Sequence, residues 1–310
     1  MLSATRTVRA VRAALLACAF LCGLPAEAIV EAAADGMGTI SPPPDDPGFD
    51  HLGVTTTGLC AVYIGNGWVL SAAHVGQHPV TLGGVTYPDV PNSLVQLQHQ
   101  SGPLSDFIVY RLATQPPLPP LVLSNAPPSV GDNVTMIGYA WDRAPAQVCW
   151  NSSWGEVTCN ALATYRGYKS AGPYRVRWGQ NLVASIGEDI DYSSWRTHSF
   201  HVQFDQSGVS YEAQAVPGDS GGAVFVKRGS QWQLGGVMFA VTIYNGQDYY
   251  SSAVFGQSTY VVDLSYYRPQ LDAILDAPQI PAFPGTAAAL TALLLAATGG
   301  AALSLRTRAR

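Results

Sequence analysis

The sequence predicts an all-β domain made of barrels or sandwiches, and three observations predict it. Short apolar or alternating runs recur at 59–64, 80–87, 94–98, 107–112, 133–140, 200–204, 222–226 and 234–241. Turn-forming residues punctuate them, with 31 Gly and 22 Pro in 310 residues. Only 12% of residues are Asp, Glu, Lys or Arg, too few for a disordered chain or a coiled coil.

The chain opens with Arg6, Arg9 and Arg12, then an uncharged stretch at 13–24, then Pro25-Ala26-Glu27-Ala28. That is the layout of a cleavable export signal at 1–28, with cleavage predicted after Ala28. The apolar stretch is too short to span a bilayer. The strand-rich body follows, and the Pro-rich stretch at 115–128 is its predicted interior boundary, separating 29–125 from 126–277. One helix is predicted at 264–276, with Tyr267, Leu271, Ile274 and Leu275 on one face. Pro269 suits that helix only in its first turn.

A Pro-rich linker at 278–285 leads to 286–305, which carries no charge, and to a basic tail at 306–310. A helix of that length, about 30 Å, matches the hydrocarbon core and predicts a transmembrane segment. The arginines place the tail in the cytoplasm. The order Pro281-Ala282-Phe283-Pro284, apolar helix, basic tail is similar to the bacterial PEP-CTERM type of sorting signal, although the motif departs from Pro-Glu-Pro. The resemblance implies a sortase-like processing enzyme as a partner. The expected location is the periplasm or cell surface of a bacterium, with the membrane as a partner through the C-terminal helix.

The net charge of −5 hides +2 over 1–28, −10 over 29–283 and +3 over 284–310. An acidic body without blocks of Lys or Arg excludes nucleic acid as the main partner. Cys18 and Cys22 leave with the signal. Cys149 and Cys159 are expected to close a short disulfide loop in an oxidising compartment, with Gly155 permitting the turn. Cys60 is then left over and reads as a small buried hydrophobe in a strand.

Three local motifs carry chemistry. Gly67-Trp-Val-Leu-Ser-Ala-Ala-His74 is an apolar strand ending in small residues and a histidine. Ser105-Asp106-Phe-Ile-Val-Tyr110 opens a β-prone run with a carboxylate. Pro217-Gly-Asp-Ser-Gly-Gly222 sets Ser220 in a tight glycine turn. Together they supply a nucleophile, a base and a group that orients the base. A serine hydroxyl needs an adjacent base at neutral pH. An imidazole can take its proton and return it to the leaving group. A buried carboxylate fixes the imidazole tautomer.

On these motifs, above all Ser71-Ala-Ala-His74 and Gly218-Asp-Ser-Gly-Gly222, the chain resembles the chymotrypsin/trypsin family of serine proteases from about residue 29 to 275. The resemblance implies two antiparallel six-stranded β-barrels with the site between them, and a protein or peptide substrate. It implies His74 as general base, Asp106 as orienting carboxylate and Ser220 as nucleophile. The N–H groups of Gly218 and Ser220 would form the oxyanion hole. Cleavage after Ala28 would free Ile29-Val30, and the resemblance implies insertion of that amino end beside Asp219, here with Glu31 and Ala32 in place of the usual glycines. Six residues before the nucleophile, Gln214 would lie at the base of the specificity pocket, with Phe239, Ala240 and Val241 as its wall. A base without a carboxylate disfavours Lys or Arg, and Val241 in place of glycine would narrow the pocket entrance, which predicts either a preference for small or shallow side chains or a blocked pocket.

Two other chemistries fail on the residues themselves. Gly218-x-Ser220-x-Gly222 also fits a nucleophile elbow, but that triad needs a histidine after the serine. His51, His74, His78, His99, His198 and His201 all precede Ser220. There is no HExxH and no paired-Cys spacing, so neither metal nor cofactor is expected. The competing function is a catalytically silent surface-binding protein on the same scaffold, suggested by the unusual pocket wall. A structural matrix protein sorted by its C-terminus has no support beyond that tail.

Overall fold

The structure is a computed structural model that describes residues 29–32, 39–248 and 250–277. The predicted signal (1–28), linker (278–285), membrane-spanning segment (286–305) and basic tail (306–310) lie outside the described residues. Among the described residues, no helix is long and apolar enough to cross a membrane.

A two-residue strand, β1 (Val30–Glu31), precedes the first sheet. That sheet comprises β2 (Leu52–Thr55), β3 (Cys60–Gly65), β4 (Trp68–Ser71), β5 (Val80–Leu82), β6 (Val85–Tyr87), β7 (Val95–Gln98) and β8 (Leu104–Arg111). It is antiparallel in the order β6-β5-β2-β3-β4-β8-β7. β3 and β4 are buried throughout, which explains their unbroken apolar reading. The run at 80–87 folds as a hairpin, because Gly83 and Gly84 take φ of +56° and +82° and turn the chain between Leu82 and Val85. Beyond β6 the chain returns to the end of β8. Val90 N–H donates to Arg111 O at 2.8 Å and Ala113 N–H to Pro88 O at 2.7 Å. Tyr63, Val69, Val80, Leu82, Ile108 and Tyr110 fill the core. The sheet thus has seven strands where the family pattern implies six, with β8 pairing with β4 along one edge and with β7 along the other.

The second half comprises β9 (Asn133–Arg143), β10 (Val148–Trp150), β11 (Glu156–Val157), β12 (Tyr165–Tyr192), β13 (Trp195–Gln203), β14 (Ala213–Gln214), β15 (Ala223–Arg228), β16 (Gln231–Val241), β17 (Ser252–Val254) and β18 (Ser258–Val262). Its barrel is closed by hydrogen bonds around the ring β9-β12-β13-β18-β16-β15 and back to β9. Val134, Met136, Phe200, Val202, Val224 and Val261 pack inside. These two antiparallel β-assemblies have the chymotrypsin-like fold. The helix α1 (Leu264–Leu275) matches the predicted one, but Pro269 falls inside it rather than in its first turn and gives up one backbone hydrogen bond.

The Pro-rich connector is strapped to both halves. Leu121 N–H donates to Ile64 O at 3.2 Å, and Leu234 N–H donates to Val122 O at 2.8 Å. At Gly65 the backbone has φ +104°, and a Cβ would stand 2.6 Å from the Pro120 Cα. Only glycine fits there.

Candidate active site

β4 delivers the histidine. Its register on β8 sets Ser71 opposite Ile108. The chain then turns through Ala72 and Ala73, where Val75 N–H bonds Ala72 O at 3.1 Å. Asp106, near the start of β8, meets His74 with both oxygens. Oδ1 accepts the His74 backbone N–H at 2.9 Å, and Oδ2 lies 2.7 Å from Nδ1. An ionised carboxylate only accepts, so Nδ1 is the donor, and in the neutral ring the lone pair is then on Nε2. The side chain of Asp106 is 7% exposed and that of His74 33%, so the carboxylate is sheltered while the ring reaches solvent.

Ser220 sits in a loop that folds on itself and leans on the first sheet. Asp219 N–H bonds Val216 O at 3.1 Å, Gly222 N–H bonds Asp219 O at 2.7 Å, and Asp219 Oδ2 accepts Val216 N–H at 2.9 Å. Cys60 N–H bonds Ser220 O at 3.0 Å, and the Cys60 thiol points to Gly218 O at 3.7 Å. Gly221 has φ +82°, and a Cβ would lie 2.1 Å from Cys60 O, so the turn tolerates no side chain. Among the described residues, neither Gly218 N–H nor Ser220 N–H donates a hydrogen bond.

His74, Asp106 and Ser220 line one cleft of about 450 Å³. Ala215, Val216 and Pro217 line it as well, as do Met238, Phe239, Ala240 and Val241. The expected wall residues are therefore present. Gln214, expected at the base, does not line the cleft. It is buried in β14, with its backbone opposite Val30. Neighbouring residues of a strand face opposite ways, so Ala215 takes the cleft side. Among the described residues, neither amide atom of Gln214 has a hydrogen-bond partner.

Ile29 is 1% exposed and packs against Gly138, where a Cβ would lie 3.0 Å from Ile29 Cγ1 and 2.0 Å from Asp219 Oδ1. The structure thus brings the two members of the expected activation pair to one place. Cys149 and Cys159 form the expected disulfide. Cys60 is buried as expected, and burial pushes its thiol well above the usual range, so it stays protonated.

Two contributors were missed in the sequence. Thr197 Oγ1, on β13, accepts the Asp106 N–H at 2.9 Å and lines the cleft. The β12–β13 tip adds Ile190, Asp191 and Tyr192. No local motif marks these residues, because only the long-range approach of β13 to β8 gives them a role. The apolar run around Cys60 marks it as a buried residue, but its grip on the Ser220 loop has no signal in its own segment.

A family model described as a trypsin-like peptidase domain matches residues 57–237. No curated protein matches the chain in sequence. Among solved structures, neuropsin, a serine protease expressed in the limbic system of mouse brain, is 17% identical with a TM-score of 0.46, over 77% of this chain and 99% of that one. The inactive form of the Rv3671c protease is 16% identical with a TM-score of 0.42, over 77% and 99%. The NS6 protease of murine norovirus 1 is 15% identical with a TM-score of 0.39, over 70% and 90%.

Proposed function

Because the chain belongs to the family of trypsin-like peptidase domains, we propose that it is a serine endopeptidase working through Ser220, His74 and Asp106. The observation that carries this reading is the double engagement of His74 by Asp106, which holds the ring through Nδ1 in the cleft that Ser220 shares. Ser220 Oγ attacks the substrate carbonyl as its proton passes to His74 Nε2. The tetrahedral oxygen takes up the N–H groups of Gly218 and Ser220. Collapse breaks the C–N bond, and the amine leaves with the proton from His74. Water then repeats the sequence on the acyl-enzyme and releases the acid.

The walls formed by Val216, Phe239 and Val241 suit an uncharged, modest side chain at the scissile residue. Removal of 1–28 would free Ile29 to place its amine beside Asp219. The same sequence features support an exported protein held at a membrane by 286–305, with a sortase-like enzyme acting on the tail. A fluorophosphonate probe tests the central claim. Labelling that is present in the folded protein and absent in Ser220→Ala supports it. No labelling of folded wild-type protein returns the scaffold to a binding role.

A further inference from the structure

A second constellation lies behind the cleft wall. His99, in the turn after β7, and the cross-strand pair Asp189 and His198 of the β12–β13 hairpin converge there. One nitrogen from each ring and one carboxylate oxygen lie within 4.8 Å of one another. His198 Nδ1 is 2.7 Å and His99 Nε2 3.1 Å from the same atom, Asp189 Oδ1. We propose that these three side chains bind a divalent transition metal of the zinc class and thereby clamp the first sheet to the β12–β13 hairpin.

The donor set fits that ion. Two imidazoles and a carboxylate suit a borderline-soft cation that accepts three protein ligands and a water. The ligands are already ordered. The Tyr266 ring stacks on His198 with centroids 4.1 Å apart and on His99 at 5.2 Å, and its hydroxyl accepts the Gln100 N–H at 2.9 Å. Arg196 Nε lies 3.3 Å from Asp191 and 3.7 Å from the other oxygen of Asp189, which leaves Oδ1 to the rings. His99 is 7% exposed and Asp189 33%, so the site is walled on one side and open for water on the other.

The protons balance. As the residues stand, Asp189 Oδ1 accepts one N–H from each ring. The cation takes the place of those two protons. The His198 proton moves to Nε2. The His99 proton moves to Nδ1, where Ser101 Oγ at 2.7 Å accepts it. That same shift costs the bond now made by Ser101 N–H to Nδ1 at 3.1 Å. The cleft would feel the clamp. Thr197, which takes the Asp106 N–H, adjoins His198, and Ile190, which lines the cleft, adjoins Asp189. Only this last consequence rests on the peptidase reading.

The test is titration of the full chain, freed of metal with a chelator, with Zn²⁺ alone in a calorimeter. Wild type should bind one equivalent with a raised unfolding temperature. Asp189→Asn and His198→Ala should each weaken binding more than about 100-fold, beyond the loss of an outer-shell partner. His74→Ala and His201→Ala should each retain the single equivalent. Where a variant misfolds by circular dichroism, X-ray absorption of the loaded wild type decides, and two imidazole nitrogens with one carboxylate are expected. No saturable binding by wild type, full binding by folded Asp189→Asn, or loss of the site in His74→Ala overturns the proposal. These readings need no turnover, so an inactive Ser220 would leave them unaffected.

Discussion

Asp106 commits one oxygen to the His74 amide and the other to the ring, so it positions the residue twice. Asp106→Asn can keep both contacts only by presenting its carbonyl to one N–H and its amide to the other group. That stabilises the wrong ring tautomer. The expected outcome is a fall in kcat of about 10⁴-fold with unchanged folding, checked by steady-state kinetics and circular dichroism. Glu212 behaves differently. Burial raises its carboxyl from 4.5 to about 7, although the N–H groups of Asp205 and Val209 favour the charged form. Its folded pKa exceeds its unfolded value, so the native state holds a proton that the unfolded chain has lost. The contribution is complete below about 4.5 and is lost as pH rises through about 7. The wild-type unfolding temperature, taken as a difference from Glu212→Gln, should fall across that window. A difference that stays flat from pH 4.5 to 7 would refute this titration.

At the scale of elements, β10 and β11 form a short hairpin held by the Cys149–Cys159 bridge, whose partners are 10 residues apart. Trp154, at the turn, donates Nε1–H to Asn245 O at 2.7 Å and stacks on Tyr165 at 4.2 Å, so the hairpin is pinned at both ends. Loop closure over so short a span contributes about 2–3 kcal/mol. Replacing both cysteines with serine should cost that much in urea unfolding and leave active-site labelling intact. The strands that were legible in the sequence, such as β3, β4 and β8, are those whose residues are almost all buried. β12 was not legible. Its 28 residues twist through two register shifts on β13 and mix buried with exposed positions, so no period of two survives. The same division holds at the site. His74, Asp106 and Ser220 carry their signature in adjacent residues. Thr197 and Cys60 matter only through partners 91 and 158 residues away.

For the molecule as a whole, the N-terminal segment and the Ser220 loop share one buried environment. Ile29 and Asp219 meet at Gly138, and β1 is hydrogen-bonded to β14 just upstream of the loop. A chain end created at Ile29, as proposed above, would start beside Asp219. Edman sequencing of protein purified from its native cell should begin at Ile29, and any other start separates export from activation. The Ser220 loop also depends on the first sheet, since the Cys60 amide holds the Ser220 carbonyl. Neither half alone carries the complete geometry.

The orientation of β14 has a practical consequence. With Gln214 facing away and Ala215 on the cleft side, the carboxylates among the described residues that line the cleft are those of Asp106, Asp191 and Asp219, and Asp106 is taken up by His74. Asp219 is turned to Val216 N–H, and Asp191 is 68% exposed at the mouth. An aryl amidine entering there would shed its water and meet only carboxylates already engaged by His74, Val216 N–H and Arg196. Immobilised benzamidine should therefore let this protein pass through the column, whereas a resin bearing a small apolar boronic acid should retain it.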